Sequence, residues 1–385
     1  SSDFRRQHSR PRISLELQAA GAARLHMAAV VSPWANLQGW KGDAPAPSQL
    51  LSPASDSTDA PDSIAQALAQ CTESVLESSV DSEAASCIRP LLDNALERLD
   101  EELQACESGE ANSETIADLF RYDVPRKLLV CMQALDFEDR KAATRLLDKL
   151  IRRAMTPNSE ATDLVEEHVR DHPDLLKHLL AGCGKQEVFF LCSQLVKSFA
   201  RSCKMAKALL DWGAADNLLE LALHDNFDIA SEAFAALREV LVAYPAVSAD
   251  YVQEHASTFF PAYHLLLRSE DNYVIQRQAL RLLGEMLLDV SFQEVMCDYV
   301  QNEQYLRLHM NLLIDVSVAI QLEAFHIFKL FVANPFKPQR VQSILLRNRQ
   351  GLIKKIRSLS ELQREDEHFS SDVAQVLEAL ASLQD

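Results

Sequence analysis

Apolar residues recur three and four positions apart in segment after segment from about residue 61 to the end of the chain. The stretches "SIAQALAQCTESVL" and "IRPLLDNALERLDEELQAC" both show this spacing, which places the apolar side chains on one face of an α-helix. Short polar breaks separate these segments, and no segment alternates in the manner of a β-strand. The pattern therefore predicts an all-α chain.

One helical pattern of apolar residues recurs several times along the chain. Ala233, Ala279 and Ala324 each have an apolar residue four positions before them and one, four, seven and eight positions after them. Weaker copies centre on Ala143 and Cys192, and the five centres are 49, 41, 46 and 45 residues apart. HEAT and armadillo repeats have a period of about 40–47 residues, and a single repeat cannot bury its apolar face alone. The pattern predicts a right-handed α-solenoid of armadillo/HEAT-like helical repeats, whose groove binds peptides or folded partners.

The first 60 residues differ in composition from the rest. They are rich in Ser, Pro and Ala, and a stretch such as "GDAPAPSQLLSPASDSTDAPDS" has too little apolar surface to fold alone. We expect residues 1–60 to form a disordered tail and residues 61–385 to form the repeat domain. The Arg-rich, acid-poor start leaves a transit peptide as the alternative interpretation. No run of 18 apolar residues occurs, so no membrane-spanning helix is expected.

The formal net charge of −18 is unevenly distributed. Residues 43–118 hold seventeen acidic and two basic residues, whereas residues 324–360 hold eight basic residues and no acidic one. An acidic protein does not attract nucleic acid or anionic lipid as a whole, so neither is an expected partner. The basic segment is either an ordinary solvated helix face or a pocket for an acidic or C-terminal peptide. Nucleic-acid binding there is a weaker third interpretation, because few aromatic residues are interleaved.

Catalytic and metal motifs are sparse. His168 and His172 are spaced to share a zinc ion on a helix. Pro173 disfavours helix at His172 and no third ligand is evident, so a polar helix end is the preferred interpretation. Gly184 and Lys185 lack the other residues of a phosphate-binding loop. Eight scattered cysteines without a C-x-x-C pair are typical of reduced thiols in a cytoplasmic protein. These residues predict neither an enzyme nor a bound cofactor.

Several phrases of the sequence resemble one known family. The phrases "ALDFEDRKAATRLLDKLIRR", "NYVIQRQALRLLGEMLLD" and "NLLIDVSVAIQLEAFHIFKLFVANPFKPQRVQSILLRN" resemble the calcium-binding protein 39 family in the same order. This is a family of mouse-protein-25-type kinase scaffolds, related to fungal hymA, and the resemblance covers residues 60–385. It implies an armadillo-like fold without catalytic activity. It also implies binding to the STRAD pseudokinase and to germinal-centre-type protein kinases, which such scaffolds hold in the active conformation. The chain has no loop built to hold calcium.

The resemblance implies two binding regions. Met310 and Arg347 match a pocket that receives a partner's C-terminal peptide in relatives. Arg277, Arg281 and Phe292 match positions on the concave face that contacts the kinase domain, with Arg281 replacing a Lys.

Three departures from the family pattern accompany these matches. Gly351 stands where the family has a basic residue of the peptide pocket, and Val290 stands at a basic position of the concave face. The family's basic "RDKSRN" reads "IDVSVA" from Ile314 onward. The peptide motif is therefore expected to differ from that of relatives.

Two function classes remain. A kinase-activating scaffold is the preferred interpretation with the resemblance. The alternative is a generic helical-repeat adaptor, for transport or complex assembly, without kinase activation. From the residues alone, Met310 and Phe292 are better explained as core residues.

Overall fold

The computed structural model describes residues 63–77, 83–107, 114–154, 160–269, 272–363 and 366–383. All of these residues belong to one compact unit, Asp56–Asp385. Within these ranges the regular structure consists of nineteen α-helices and one short 3₁₀ turn, with no β-strand, so the predicted all-α class is confirmed. The predicted tail of residues 1–60 lies outside the described residues.

The helices fall into groups of three along the chain. The first helices are α3 (Glu114–Arg121), α6 (Glu160–Asp171), α9 (Cys203–Asp211), α12 (Pro245–Glu254) and α15 (Gln293–Tyr299). The second helices are α1 (Ile64–Glu77), α4 (Val124–Cys131), α7 (Asp174–Cys183), α10 (Ala214–Leu221), α13 (Ala256–Leu267) and α16 (Glu303–Leu312). The third helices are α2 (Glu83–Glu107), α5 (Phe137–Ala154), α8 (Phe189–Phe199), α11 (Phe227–Val242), α14 (Tyr273–Leu288) and α17 (Val318–Ala333). Two further helices, α18 (Gln339–Leu362) and α19 (Glu367–Ala381), follow them.

The helices pack both on their neighbours in the chain and on helices three places further along. The third helices stack in the order α2, α5, α8, α11, α14 and α17, and α19 packs on α17. The second helices stack from α1 through α4, α7 and α10 to α13, beside them. A three-helix period of about 45 residues is the armadillo arrangement, so the predicted α-solenoid is confirmed.

The repeat centres form the core of this stack. Ala143, Ala233, Ala279 and Ala324 are 0% exposed and Cys192 is 2% exposed, and all five lie on third helices. A methyl group or a thiol at the centre lets the neighbouring helix approach closely, while the flanking Leu, Ile and Phe fill the space around it. The spacing read from the sequence therefore locates the buried face of each repeat.

Local sequence sets where these helices begin and end. The side-chain oxygens of Asn226, Asn272 and Asn302 accept hydrogen bonds from backbone N–H groups in the first turns of α11, α14 and α16. An N-cap of this kind satisfies amide groups that the helix itself leaves unpaired. Helix α17 ends at Ala333, immediately before the Asn334–Pro335 break that the sequence predicts.

Polar contacts connect most neighbouring third helices. The connecting pairs are Arg89–Asp139, Asp148–Ser198, Lys197–Glu232, Arg238–Glu285, Arg277–Glu323 and Lys329–Asp372. Except in the pairs Arg89–Asp139 and Lys329–Asp372, the paired residues stand at similar distances from the beginnings of their helices. This pattern indicates that successive third helices run parallel. Their polar sides therefore form one continuous surface, called the third-helix face below.

None of the helices in the described ranges combines the length and apolarity that a membrane crossing requires.

Candidate partner-binding surfaces

The third-helix face presents arginines on α14. The side chains of Arg277 and Arg281 are 49% and 59% exposed and lie one helical turn apart. Nε of Arg277 is 3.9 Å from Oε1 of Glu323 on α17, and Nε of Arg281 is 3.3 Å from Oε1 of Glu285. The two arginines that the resemblance assigns to the kinase-contacting concave face are thus both exposed on α14.

A third arginine joins them from the neighbouring helix. Nη2 of Arg238 on α11 donates a hydrogen bond to Oε2 of Glu285 at 3.0 Å, so one carboxylate lies between two guanidinium groups. Exposed ion pairs of this kind contribute only about 0–1 kcal/mol, because water and salt screen them. The arginines can therefore exchange these carboxylates for those of a partner at little cost.

Exposed hydrophobic residues border the same face. Phe137, Phe227, Tyr273 and Val318 are 65%, 52%, 43% and 44% exposed, and each is the first residue of a third helix. These positions were not predicted from the sequence. In the sequence, each of them can be recognised as an apolar residue six positions before a repeat centre. This position does not belong to the buried face of the repeat. Because the third helices run parallel, these side chains lie along one edge of the third-helix face.

Phe292 is placed differently from the two arginines. It ends the 3₁₀ turn Val290–Phe292 and is 1% exposed, in a turn that packs against α12 and α14. Its ring therefore has no surface to offer a partner in this conformation. The exposed side chain of the turn is Val290, which is 79% exposed and stands where the family has a basic residue.

The peptide-pocket residues lie on two helices in contact. Met310 on α16 is half-buried against the core, and Arg347 on α18 is exposed. Nη1 of Arg340 near the start of α18 is 3.5 Å from Oε1 of Glu303 at the start of α16. Met310 and Arg347 each stand seven residues beyond these paired residues, about 10 Å along each helix at 1.5 Å per residue. Met310 and Arg347 thus lie on helices that contact each other and that are joined by an ion pair near their beginnings.

The basic helix α18 keeps part of its charge free. Among the described residues, no hydrogen bond or ion pair is found for Arg347, Lys354 or Arg357. Gly351 lies one turn after Arg347, and a Cβ added there would meet no atom within 4 Å. The missing basic side chain at Gly351 thus leaves open space on the helix surface next to Arg347.

An apolar loop lies beside this surface. Ile314 and Val316, between α16 and α17, are 69% and 102% exposed. They belong to the segment that replaces the family's basic hexapeptide. The surface next to Met310 is therefore more apolar and less cationic than the family pattern implies.

A buried cluster of polar side chains contacts helix α16 from the core. The hydroxyl of Tyr299 lies 2.9 Å from Nε2 of His264 and 2.8 Å from Nε2 of His309. Burial lowers the pKa of each histidine to about 3, and the positive charge of Arg268 contributes to the shift of His264. Both rings are therefore neutral at physiological pH.

The tautomers of this cluster follow from its geometry. Nδ1 of His309 is buried without a hydrogen-bond partner among the described residues. A hydrogen on Nε2 of His309 avoids burying an unpaired N–H, so this ring donates to the Tyr299 oxygen. The Tyr299 hydroxyl then donates to Nε2 of His264, and the pair of bonds fixes α13, α15 and α16 relative to one another.

The buried thiols are unsuited to nucleophilic chemistry. Burial raises the pKa of Cys131 and of Cys192 to about 12, which keeps both groups protonated. The pKa of Cys183 shifts in the same direction for the same reason. The thiolate is the reactive form of cysteine, so these side chains act as small core residues.

Stacked three-helix repeats with a charged, hydrophobic-edged face define a protein-binding scaffold of the armadillo type. A family model described as Mo25-like matches residues 53–384. The chain belongs to the Mo25-like family.

Individual relatives agree with this assignment. The calcium-binding protein 39-like protein of Homo sapiens is 32% identical over 302 residues, which cover 76% of this chain and 88% of that protein. The Mo25-like protein of Schizosaccharomyces pombe is 32% identical over 278 residues, which cover 71% and 83% of the two chains. Among solved structures, a designed armadillo repeat protein matches 66% of this chain and 99% of its own length, with 16% identity and a TM-score of 0.41.

Proposed function

We propose that this protein is a non-catalytic cytoplasmic scaffold that binds a protein kinase of the germinal-centre type, or a pseudokinase–kinase complex, and favours the active conformation of the kinase. The proposal rests mainly on the row of Arg238, Arg277 and Arg281, which is exposed, weakly paired and bordered by hydrophobic residues. The resemblance to kinase scaffolds supports a protein kinase as the class of partner.

The third-helix face has the composition of a binding surface. Arginine and aromatic residues are enriched among the residues that dominate interface energies, and they act best when surrounding contacts exclude water. Arg277 and Arg281 supply charge for acidic groups of a kinase lobe, while Tyr273 and Phe227 supply apolar area at the edge. The buried side chain of Phe292 contributes indirectly, because it stabilises the 3₁₀ turn in the conformation that exposes Val290.

The second contact is a partner's C-terminal peptide at Met310 and Arg347. The half-buried thioether offers an adaptable apolar contact, and the guanidinium can pair with a terminal or side-chain carboxylate. Gly351 and Ile314 replace basic positions of the family. The preferred peptide is therefore expected to carry fewer acidic and more apolar residues than the peptide of relatives.

Activation by such a scaffold is a population shift. A kinase whose active arrangement binds the third-helix face more tightly than its inactive arrangement is driven towards the active state. A difference of about 3 kcal/mol in binding free energy changes the ratio of the two states more than a hundredfold. No group of the scaffold has to take part in phosphoryl transfer.

The test of the kinase contact is the double variant Arg277→Ala/Arg281→Ala. We expect its affinity for a germinal-centre kinase to fall about tenfold or more, with a parallel loss of activation, because each arginine is a candidate for a dominant contact. The matched control is Lys207→Ala on α9. Lys207 is 66% exposed and pairs with Asp211 at 3.5 Å, as Arg281 pairs with Glu285, but it lies outside the third-helix face.

The outcomes separate the function classes. A kinase that is activated equally by the double variant and the wild type would contradict the assignment of this face. Binding without any change in kinase activity would favour the alternative, a helical-repeat adaptor. For the peptide contact, Met310→Ala should weaken binding of the partner's tail peptide, whereas Met296→Ala, another half-buried methionine against the same core, should not.

A further inference from the structure

Asp123, His168 and His172 form a cluster that lies away from the surfaces described above. Each residue offers one ligand atom, and these atoms all lie within 4.8 Å of one another. His168 and His172 lie one turn apart at the end of α6, and Asp123 stands at the start of α4, 45 residues earlier in the chain. Asp123 thus supplies the third ligand, which was not evident from the sequence.

Two polar atoms of this cluster lack hydrogen bonds. Oδ1 of Asp123 and Nε2 of His168 are 3.2 Å apart and both are buried, but their alignment is not that of a hydrogen bond. Neither atom has another hydrogen-bond partner in the described part of the chain. Because buried polar atoms are almost always paired, two adjacent unpaired atoms indicate that a ligand can lie between them.

The backbone at Asp123 is also unusual. Its φ of 57° makes it the one non-glycine residue with positive φ among those described. A left-handed backbone costs an ordinary residue about 1–2 kcal/mol, although Asp tolerates it better than most. This conformation brings the carboxylate close to His168, and Phe120, whose ring meets that of His168 edge-on at 5.2 Å, fixes the imidazole.

Neighbouring groups orient the carboxylate and set the local charge. Nε of Arg126 donates to Oδ2 of Asp123 at 2.6 Å, which leaves Oδ1 for another ligand. Nη1 of Arg126 is 3.4 Å from Oδ2 of Asp174, so the guanidinium lies between two carboxylates. The two carboxylates and one guanidinium leave one negative charge beside the histidines.

The geometry points to a divalent transition-metal site, with Zn²⁺ as the ion that best fits its ligands, formed by Asp123, His168 and His172. Two ligand atoms about 2.1 Å from zinc in a tetrahedral site are about 3.4 Å apart, close to the separation of the Asp123 and His168 atoms. The ligand atom of His172 lies within 4.8 Å of the other two and must move closer to them to complete three positions. Its partial exposure gives an entry path and leaves the fourth position to water.

The ligand types also select the ion. Imidazole suits zinc and its neighbours in the first transition row, whereas calcium requires six or more oxygen ligands. The site is therefore expected to exclude Ca²⁺ and Mg²⁺. A bound ion would connect the turn before α4 to the end of α6, and so join two successive repeats, independently of the proposed kinase binding.

The test is zinc titration of the full chain after chelator treatment, measured by competition with a chromophoric chelator. We expect one site per chain in the wild type, and His172→Gln should weaken it by more than about tenfold, since even losing a residue that only supports a ligand costs 10–100-fold. The matched control is His178→Gln, a half-buried histidine of the next helix that lies outside the ligand set, and it should keep the site.

Two further measurements locate the ion within the protein. Co²⁺ in place of zinc should give an absorption spectrum of nitrogen and oxygen ligands, and zinc should slow hydrogen exchange in α3–α7 of the wild type but not of His172→Gln. Equal zinc affinity in all three proteins, or a thiolate charge-transfer band with Co²⁺, would place the ion elsewhere and overturn the proposal. A wild type without a site, or competition by Ca²⁺, would overturn it as well.

Discussion

Acidification should destabilise the fold through the buried pair His264 and His309. Their pKa values are about 3 in the folded protein, against about 6.5 in an unfolded chain. Between these values the unfolded chain binds more protons than the folded one. This contribution to stability is therefore fully present above about pH 6.5 and is lost progressively as the pH falls towards 3.

The size of the effect follows from the same values. Each ring changes the free energy of unfolding by about 1.4 kcal/mol per pH unit in this window, so the two rings together remove about 4 kcal/mol between pH 7 and pH 5. Replacing one ring, as in His309→Gln, should halve that change. Tyr263→Phe is the control, because it removes one buried hydrogen bond, to the carbonyl oxygen of Ala279 at 2.8 Å, without removing a group that titrates in this range.

The assay is urea unfolding at pH 7 and pH 5, followed by far-ultraviolet circular dichroism. The difference in free energy between the two pH values should be about 2 kcal/mol smaller in His309→Gln than in the wild type, and unchanged in Tyr263→Phe. Ring NMR signals of both histidines should not shift between these pH values in the folded protein. The reasoning is refuted if His309→Gln keeps the full pH dependence, or if either ring titrates near pH 6.5.

Four further substitutions probe packing and helix chemistry. Tyr299→Phe should cost about 2–4 kcal/mol in urea unfolding, because it leaves two buried imidazole nitrogens unpaired. Gly182→Ala should destabilise by about 1–3 kcal/mol, since its Cβ would lie 2.5 Å from Sγ of Cys192, and Cys192→Ala should suppress that loss. Gly284→Ala, whose Cβ meets its nearest atom at 3.8 Å, should instead be neutral or stabilising in the same assay. Gly351→Lys should leave the melting temperature unchanged or raise it, because helix propensity improves by up to about 1 kcal/mol. It should also strengthen binding of acidic tail peptides, measured by fluorescence polarisation, and equal affinity would argue against a peptide site at this surface.

Much of the fold could be predicted from the sequence because repeat proteins are built from local contacts. Ala233, Ala279 and Ala324 predicted the buried faces of three third helices correctly, since helix period and neighbour stacking are set within about 45 residues. The weaker copy at Ala143 was also correct. Asp139 departs from the apolar pattern of this copy, because it is a polar residue at a buried position. Its Oδ1 lies 3.6 Å from Nη1 of Arg89.

The candidate surfaces could be predicted only in part. Arg277 and Arg281 stand on the exposed side of a helix whose buried side the sequence pattern predicts. The helix period therefore predicts that they are exposed, and the family resemblance predicts their role. Phe292 and Val290 are two residues apart, and the 3₁₀ turn decides which of the two is buried. A sequence pattern does not distinguish these outcomes, because a three-residue turn has no period.

The amino-acid sequence was sufficient to predict the helical repeat, its spacing and its buried face. It was also sufficient to identify the family of scaffolds to which the chain belongs. Tertiary structure alone decided which distant side chains meet. Asp123 reaches His168 across 45 residues because α3 packs on α6, and Tyr299 joins His264 to His309 because three helices converge on it. Such contacts depend on the rotation of one helix against another, and the apolar pattern of a single helix does not encode that rotation for polar side chains.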